Sequence, residues 1–124
     1  MQTLEQAQES VKNIINNYRN HPTCTPLYWE DTYQTIQKIT PIEASVILTS
    51  HHIENNRKER KGATQLLNFE INQDRWVPIA STIKFSAEGK LIDGQHRLSA
   101  ISQQEKTIQV IIQHNVPKHV IHFL

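Results

Sequence analysis

Gly89-Lys90-Leu91-Ile92-Asp93-Gly94-Gln95-His96-Arg97-Leu98-Ser99-Ala100 is where the apolar pattern changes period, and the fold turns on that change. Leu91 and Ile92 end a strand-like run that begins at Thr82, and Leu98, Ala100 and Ile101 then recur at helical spacing. Between them, Asp93-Gly94 breaks the strand. Asp93 is expected as the N-cap, its carboxylate accepting from free amides of the first turn. Gly94 lets the chain turn sharply and another group come close. The helix, expected from Gly94 to about Gln104, opens with Gln95, His96 and Arg97. Unpaired amides and the positive dipole end there suit a phosphate or carboxylate, and Arg97 offers a bidentate donor. The same spacing also fits an ordinary capped helix start with a few exposed polar residues.

Working outward, Thr82 to Phe85, the Ser86-Ala87-Glu88-Gly89 turn and Lys90 to Ile92 read as a tight hairpin, with Gly89 supplying a positive φ. Downstream, Thr107 to Gln113 is the clearest strand, with Ile108, Val110 and Ile112 on one face and Ile111 on the other. Val116-Pro117 is expected to open a last short helix. Upstream, Ala63 to Trp76 reads as an amphipathic helix. Thr40-Pro41-Ile42-Glu43 starts another: Thr40 as N-cap, Pro41 at the first helical position, Glu43 closing a capping box. Ala44, Ile47 and Leu48 should face inward, and this helix should end near His51 or His52. Tyr33 to Ile39 alternates as a short strand. Residues 3 to 19 place Leu4, Ala7, Val11, Ile14 and Tyr18 at spacings of three and four, an amphipathic helix that Asn20-His21-Pro22 terminates. One core is expected to join Leu91, Leu98, Ile101, Ile108, Val110 and Ile112 with Ile47, Leu66 and Trp76.

The 124 residues suit one modest core. Thirteen Lys plus Arg against twelve Asp plus Glu imply no whole-surface attraction to nucleic acid, only a local patch. Cys24 is the single cysteine, which excludes an intramolecular disulfide and a cysteine-based zinc site. His51-His52-x-Glu54 gives too few ligands at suitable spacing for a metal. No apolar run approaches the roughly 18 to 20 residues that span a bilayer, and the polar N-terminus is unlike a signal peptide. A cytoplasmic protein of a bacterial host cell, with no membrane contact, is the expectation.

The Asp93-Gly94-Gln95-His96-Arg97 segment resembles the signature of the ParB/sulfiredoxin-like superfamily, above all its small phage and prophage members. Asn56 and Arg57 match an Asn-Arg pair of that family, and Trp76, Ile83 and Phe85 fit its spacing, so the resemblance spans residues 36 to 117. Lys58-Glu59-Arg60 replaces the usual Pro-Leu-Ser, and Ile79-Ala80 the usual Asn-Gly. The resemblance implies an α+β domain over 36-124, a short mixed sheet with flanking helices, preceded by an extra N-terminal helix and loop over 1-35. It also implies a nucleotide-phosphate site for ATP or CTP with Mg2+, formed by Asp93, Gly94, Gln95, His96 and Arg97 together with Asn56 and Arg57. Sulfiredoxin chemistry is not expected, because Gln95 stands near where its reactive cysteine would be. Partition function is not expected either, since no helix-turn-helix is evident.

Three classes of function follow. The first is a phosphate-bearing ligand, nucleotide or nucleic acid, bound with little or no turnover. The second is a phage-encoded inhibitor of a host defence nuclease, anti-CRISPR-like, acting through a protein partner. The third is a nuclease-like DNA-binding module using Lys58, Arg60 and Lys61 beside Arg57 and Arg97 as a phosphate-facing patch. Nucleotide hydrolysis needs a base and usually a carboxylate-held metal. Asp93 and His96 are the only candidates near the motif, and relatives carry a further charged segment after the last helix, beyond Leu124. No catalytic or metal residue is therefore expected.

Overall fold

The computed structural model describes residues 2–27, 31–51 and 82–117. Its first helix, α1 (Leu4–Asn16), begins at a capping box that the hydrophobic pattern alone does not reveal. The Gln6 N–H donates to Thr3 Oγ1 (3.1 Å) and the Thr3 N–H to Gln6 Oε1 (2.9 Å), satisfying two otherwise orphaned donors. Ala7, Val11, Ile14 and Ile15 form the buried stripe. Leu4, expected to face inward, is 59% exposed. It is the first helical residue, and its side chain leans toward the N-terminus, past the packed surface. Tyr18, expected on the same helix, lies instead in a 3-10 turn (Tyr18–Asn20). There its ring stacks on His114, 4.2 Å between centroids and 9° from parallel.

After β1 (Thr25–Pro26) comes β2 (Tyr33–Ile39), over the span that alternation predicts. Thr35 and Ile39 are buried, and Ile36, on the opposite face, is exposed. Thr23 blunts the open edge of β2: its hydroxyl accepts from the Ile36 N–H (2.8 Å) and donates to the Ile36 carbonyl (3.3 Å).

Helix α2 (Pro41–Ser50) starts as its sequence demands, with Thr40 Oγ1 accepting from the Glu43 N–H and Glu43 Oε1 from the Thr40 N–H. Glu43 is 4% exposed, and its second oxygen accepts from Gln2 Nε2 (3.2 Å) and from the Ser10 hydroxyl. One buried carboxylate thus caps α2 and ties it to α1. Thr40→Ala should cost about 1 kcal/mol, the usual worth of such a cap. A fall of that size in urea-unfolding free energy checks it, and an unchanged midpoint would show that the box contributes nothing.

The hairpin forms as β3 (Thr82–Ser86) and β4 (Leu91–Asp93). The Ser86 N–H donates to the Lys90 carbonyl (2.8 Å), and the Gly89 N–H to the Ser86 carbonyl (2.9 Å). Gly89 has φ +76°, and a Cβ there would lie 2.7 Å from Ile15 Cγ2, so the turn both requires glycine and packs on α1. Helix α3 (Gln95–Ser102) follows, then β5 (Ile108–Val116). The last strand outruns the expected Thr107-to-Gln113 span. Val116, expected to open a helix, is a buried strand residue paired with Ser86. Parallel pairing with β3 keeps the chain extended to that point.

Sheet order is β1-β2-β5-β3-β4, with β3 parallel to β5 and the other pairs antiparallel. The fold is therefore α+β, a short mixed sheet with flanking helices and an N-terminal helix. Ile39, Ile47, Ile83, Leu91, Leu98, Ile101, Val110 and Ile112 share one core with the stripe of α1. Leu66 and Trp76, and the helix expected over Ala63 to Trp76, lie outside the described residues. Among the described residues no helix is long and apolar enough to cross a membrane.

Candidate functional site

At the β4–α3 junction the structure corrects one expectation. Asp93 is not the N-cap: it ends β4, and its carboxylate accepts from Lys84 Nζ (3.2 Å) and from the Gly94 N–H (3.0 Å). Cross-strand pairing places Lys84 opposite Asp93, and the carboxylate pairs with that lysine across the strands. The N-cap is Gly94, at φ +106° and ψ 12°, a left-handed conformation that L side chains avoid. A Cβ on Gly94 would lie 3.1 Å from the Ile83 Cα, so a glycine is needed both for the turn and for close packing on β3.

Gln95, His96 and Arg97 form the first turn, all half-buried, and the Leu98 N–H closes it on the Gly94 carbonyl (2.9 Å). No side chain caps this helix. Arg97 Nη1 donates to the Thr82 carbonyl (3.3 Å), which lays the guanidinium along the start of β3. His96 Nδ1 is buried without a hydrogen-bond partner among the described residues. Of the residues expected at this site, the structure brings together Asp93, Gly94, Gln95, His96 and Arg97. Asn56, Arg57, Lys58, Arg60 and Lys61 lie outside the described residues, as do His52 and Glu54. His51 follows the end of α2, and burial pushes its imidazole below the ordinary range, against a hydrogen bond to the Gly89 backbone. Among the described residues no group of three or more His, Cys, Asp or Glu could hold a metal ion.

A second polar constellation escaped the sequence reading. His114 is 1% exposed, under the Tyr18 ring. Its Nε2 lies 2.7 Å from Thr35 Oγ1, which also accepts from Gln37 Nε2 (2.8 Å). His114 Nδ1 has no partner among the described residues. Burial, with His21 adding to it, lowers the imidazole to about 4, so it is neutral at pH 7. The Arg19 guanidinium stands 5.0 Å from the Tyr33 ring centroid. Strand periodicity carried two residues past Ile112 puts His114 on the core face with Ile108, Val110 and Ile112.

This chain matches no family model, no curated protein and no solved structure.

Proposed function

We propose that the β4–α3 junction binds a phosphate-bearing ligand, a nucleotide or a nucleic-acid phosphate, without rapid turnover. The observation that supports this most is a contrast between helices. α1 and α2 both spend a threonine and a Glu or Gln on a full capping box, whereas α3 begins at a bare left-handed glycine with no side-chain cap. Its first-turn amides and dipole are the groups that bind anions elsewhere. Arg97, on the same turn, supplies charge-assisted donors to phosphate oxygens. The engagement of Asp93 by Lys84 and the Gly94 amide supports the slow-turnover part of this reading, since it occupies the carboxylate that would act as a base or hold Mg2+.

Calorimetric titration of inorganic phosphate, ATP and CTP, with and without Mg2+, and of a short DNA duplex tests the proposal. At least one should bind at or below millimolar concentration. Arg97→Ala should weaken it about tenfold or more, the worth of a charged hydrogen bond. If DNA is the ligand, affinity must fall steeply with salt. No binding of any of these at millimolar concentration would remove the phosphate reading. A Mg2+-dependent nucleotidase activity lost in both Asp93→Asn and His96→Ala would overturn the slow-turnover part alone.

A further inference from the structure

We propose that the cleft between the C-terminal end of α1, the 3-10 turn and β2 binds an uncharged lactam, the N–H/C=O edge that uracil, hypoxanthine and guanine share. The cleft is open to solvent and offers about 250 Å3. That is below the range of drug-sized pockets, so it suits a single ring system. Four carboxamide residues line it, Asn13, Asn17, Asn20 and Gln37, while no Asp, Glu, Lys or Arg does. His21 and Ser10 complete its polar lining, which holds no permanently charged side chain for a phosphate or an ammonium. It offers paired donors and acceptors, the groups through which Asn and Gln read base edges.

Two of these carboxamides are held by neighbouring side chains. Gln37 Nε2 is committed to Thr35 Oγ1, itself joined to buried His114, so the Gln37 carbonyl oxygen is left as the acceptor. Asn17 Oδ1 is committed to Asn20 Nδ2 (2.5 Å), so the Asn17 NH2 is left as the donor. An acceptor and a donor fixed by neighbours rather than by the ligand reduce the ordering cost of binding. A lactam is the complement: its N–H for Gln37, its C=O for Asn17. Ile14, Pro22 and the Tyr18 ring, itself braced on His114, supply the apolar walls. This cleft is separate from the β4–α3 junction and shares no residue with it.

Proton–nitrogen correlation spectra of the full chain, titrated with uracil and hypoxanthine, test the assignment, with glucose and inorganic phosphate as controls. The side-chain amide signals of Asn17 and Gln37 should shift saturably with one of the bases, with Kd at or below about 1 mM. Glucose and phosphate should leave those signals in place. Asn17→Ala and Gln37→Leu should each weaken binding about tenfold, while Arg97→Ala should leave it unchanged. Gln37 lies in the sheet, so its variant is checked for folding by thermal melt; exposed Asn17 carries the test alone if that variant unfolds. No saturable shift by about 10 mM, equal shifts with glucose, or wild-type affinity in folded Asn17→Ala would each overturn the proposal.

Discussion

Leu98→Ala should lower unfolding free energy by about 2 to 5 kcal/mol, while Leu4→Ala should change it by no more than about 0.5 kcal/mol. Leu98 is fully buried in α3, in the cluster that contains Ile47, Ile83 and Leu91, so truncation leaves a cavity among residues from several elements. Against a total of about 5 to 15 kcal/mol the loss is serious, and the melting temperature should fall by roughly 10 °C or more. Leu4 is 59% exposed, and alanine is the better helix former there. Paired urea melts of the two variants decide the matter. Equal effects, or a Leu98 variant that melts like wild type, would mean that α3 does not dock as described. Because α3 also carries His96 and Arg97, the same variant should loosen the β4–α3 junction.

The two leucines also show how far the sequence could be read. Both sit at helical spacing with other apolar residues, so pattern alone sends both inward. Only the position of Leu4 on the first residue of α1, beyond the packed surface, separates them. Hydrophobic period, cap residues and Gly89 were enough to locate α2, β2 and the β3–β4 hairpin, because each rests on local chemistry. The end of β5 is different. Val116 stays extended because β3 pairs with it in parallel, a non-local contact that no window of sequence contains. The same extension carries His114 into the core.

At the β4–α3 junction the residue types were legible but their roles were not. Asp before Gly at a helix start looks like a cap. Cross-strand register hands Asp93 to Lys84 instead, and a left-handed Gly94 takes the N-cap position. The Glu43 network failed for the complementary reason. Its capping box is local and was expected, whereas its bonds to Gln2 and Ser10 join residues more than thirty positions apart. The carboxamide cleft is likewise assembled from α1, the 3-10 turn and β2, none of which signals a site by itself.

Buried His114 should make the protein lose stability as pH falls from about 6.5 toward about 4. Its folded value, lowered by burial to about 4, lies below the ordinary 6.5, so between these values the unfolded chain binds a proton that the folded chain refuses. Stability therefore rises with pH: the contribution is complete above the unfolded value and disappears as pH falls toward the folded one. A separation of this size is on the order of 3 kcal/mol, of which about 2 kcal/mol should be gone by pH 5. His51, lowered in the same sense, adds to the slope. His114→Phe keeps an aromatic ring against Tyr18 and removes the titrating group, leaving Thr35 to Gln37 alone. Urea unfolding of wild type and His114→Phe at pH 7 and pH 5 isolates the effect. The wild type should lose about 2 kcal/mol more than the variant between the two conditions. Parallel losses in both proteins would mean that the imidazole is not held neutral under Tyr18, and that the extension of β5 does not bury it.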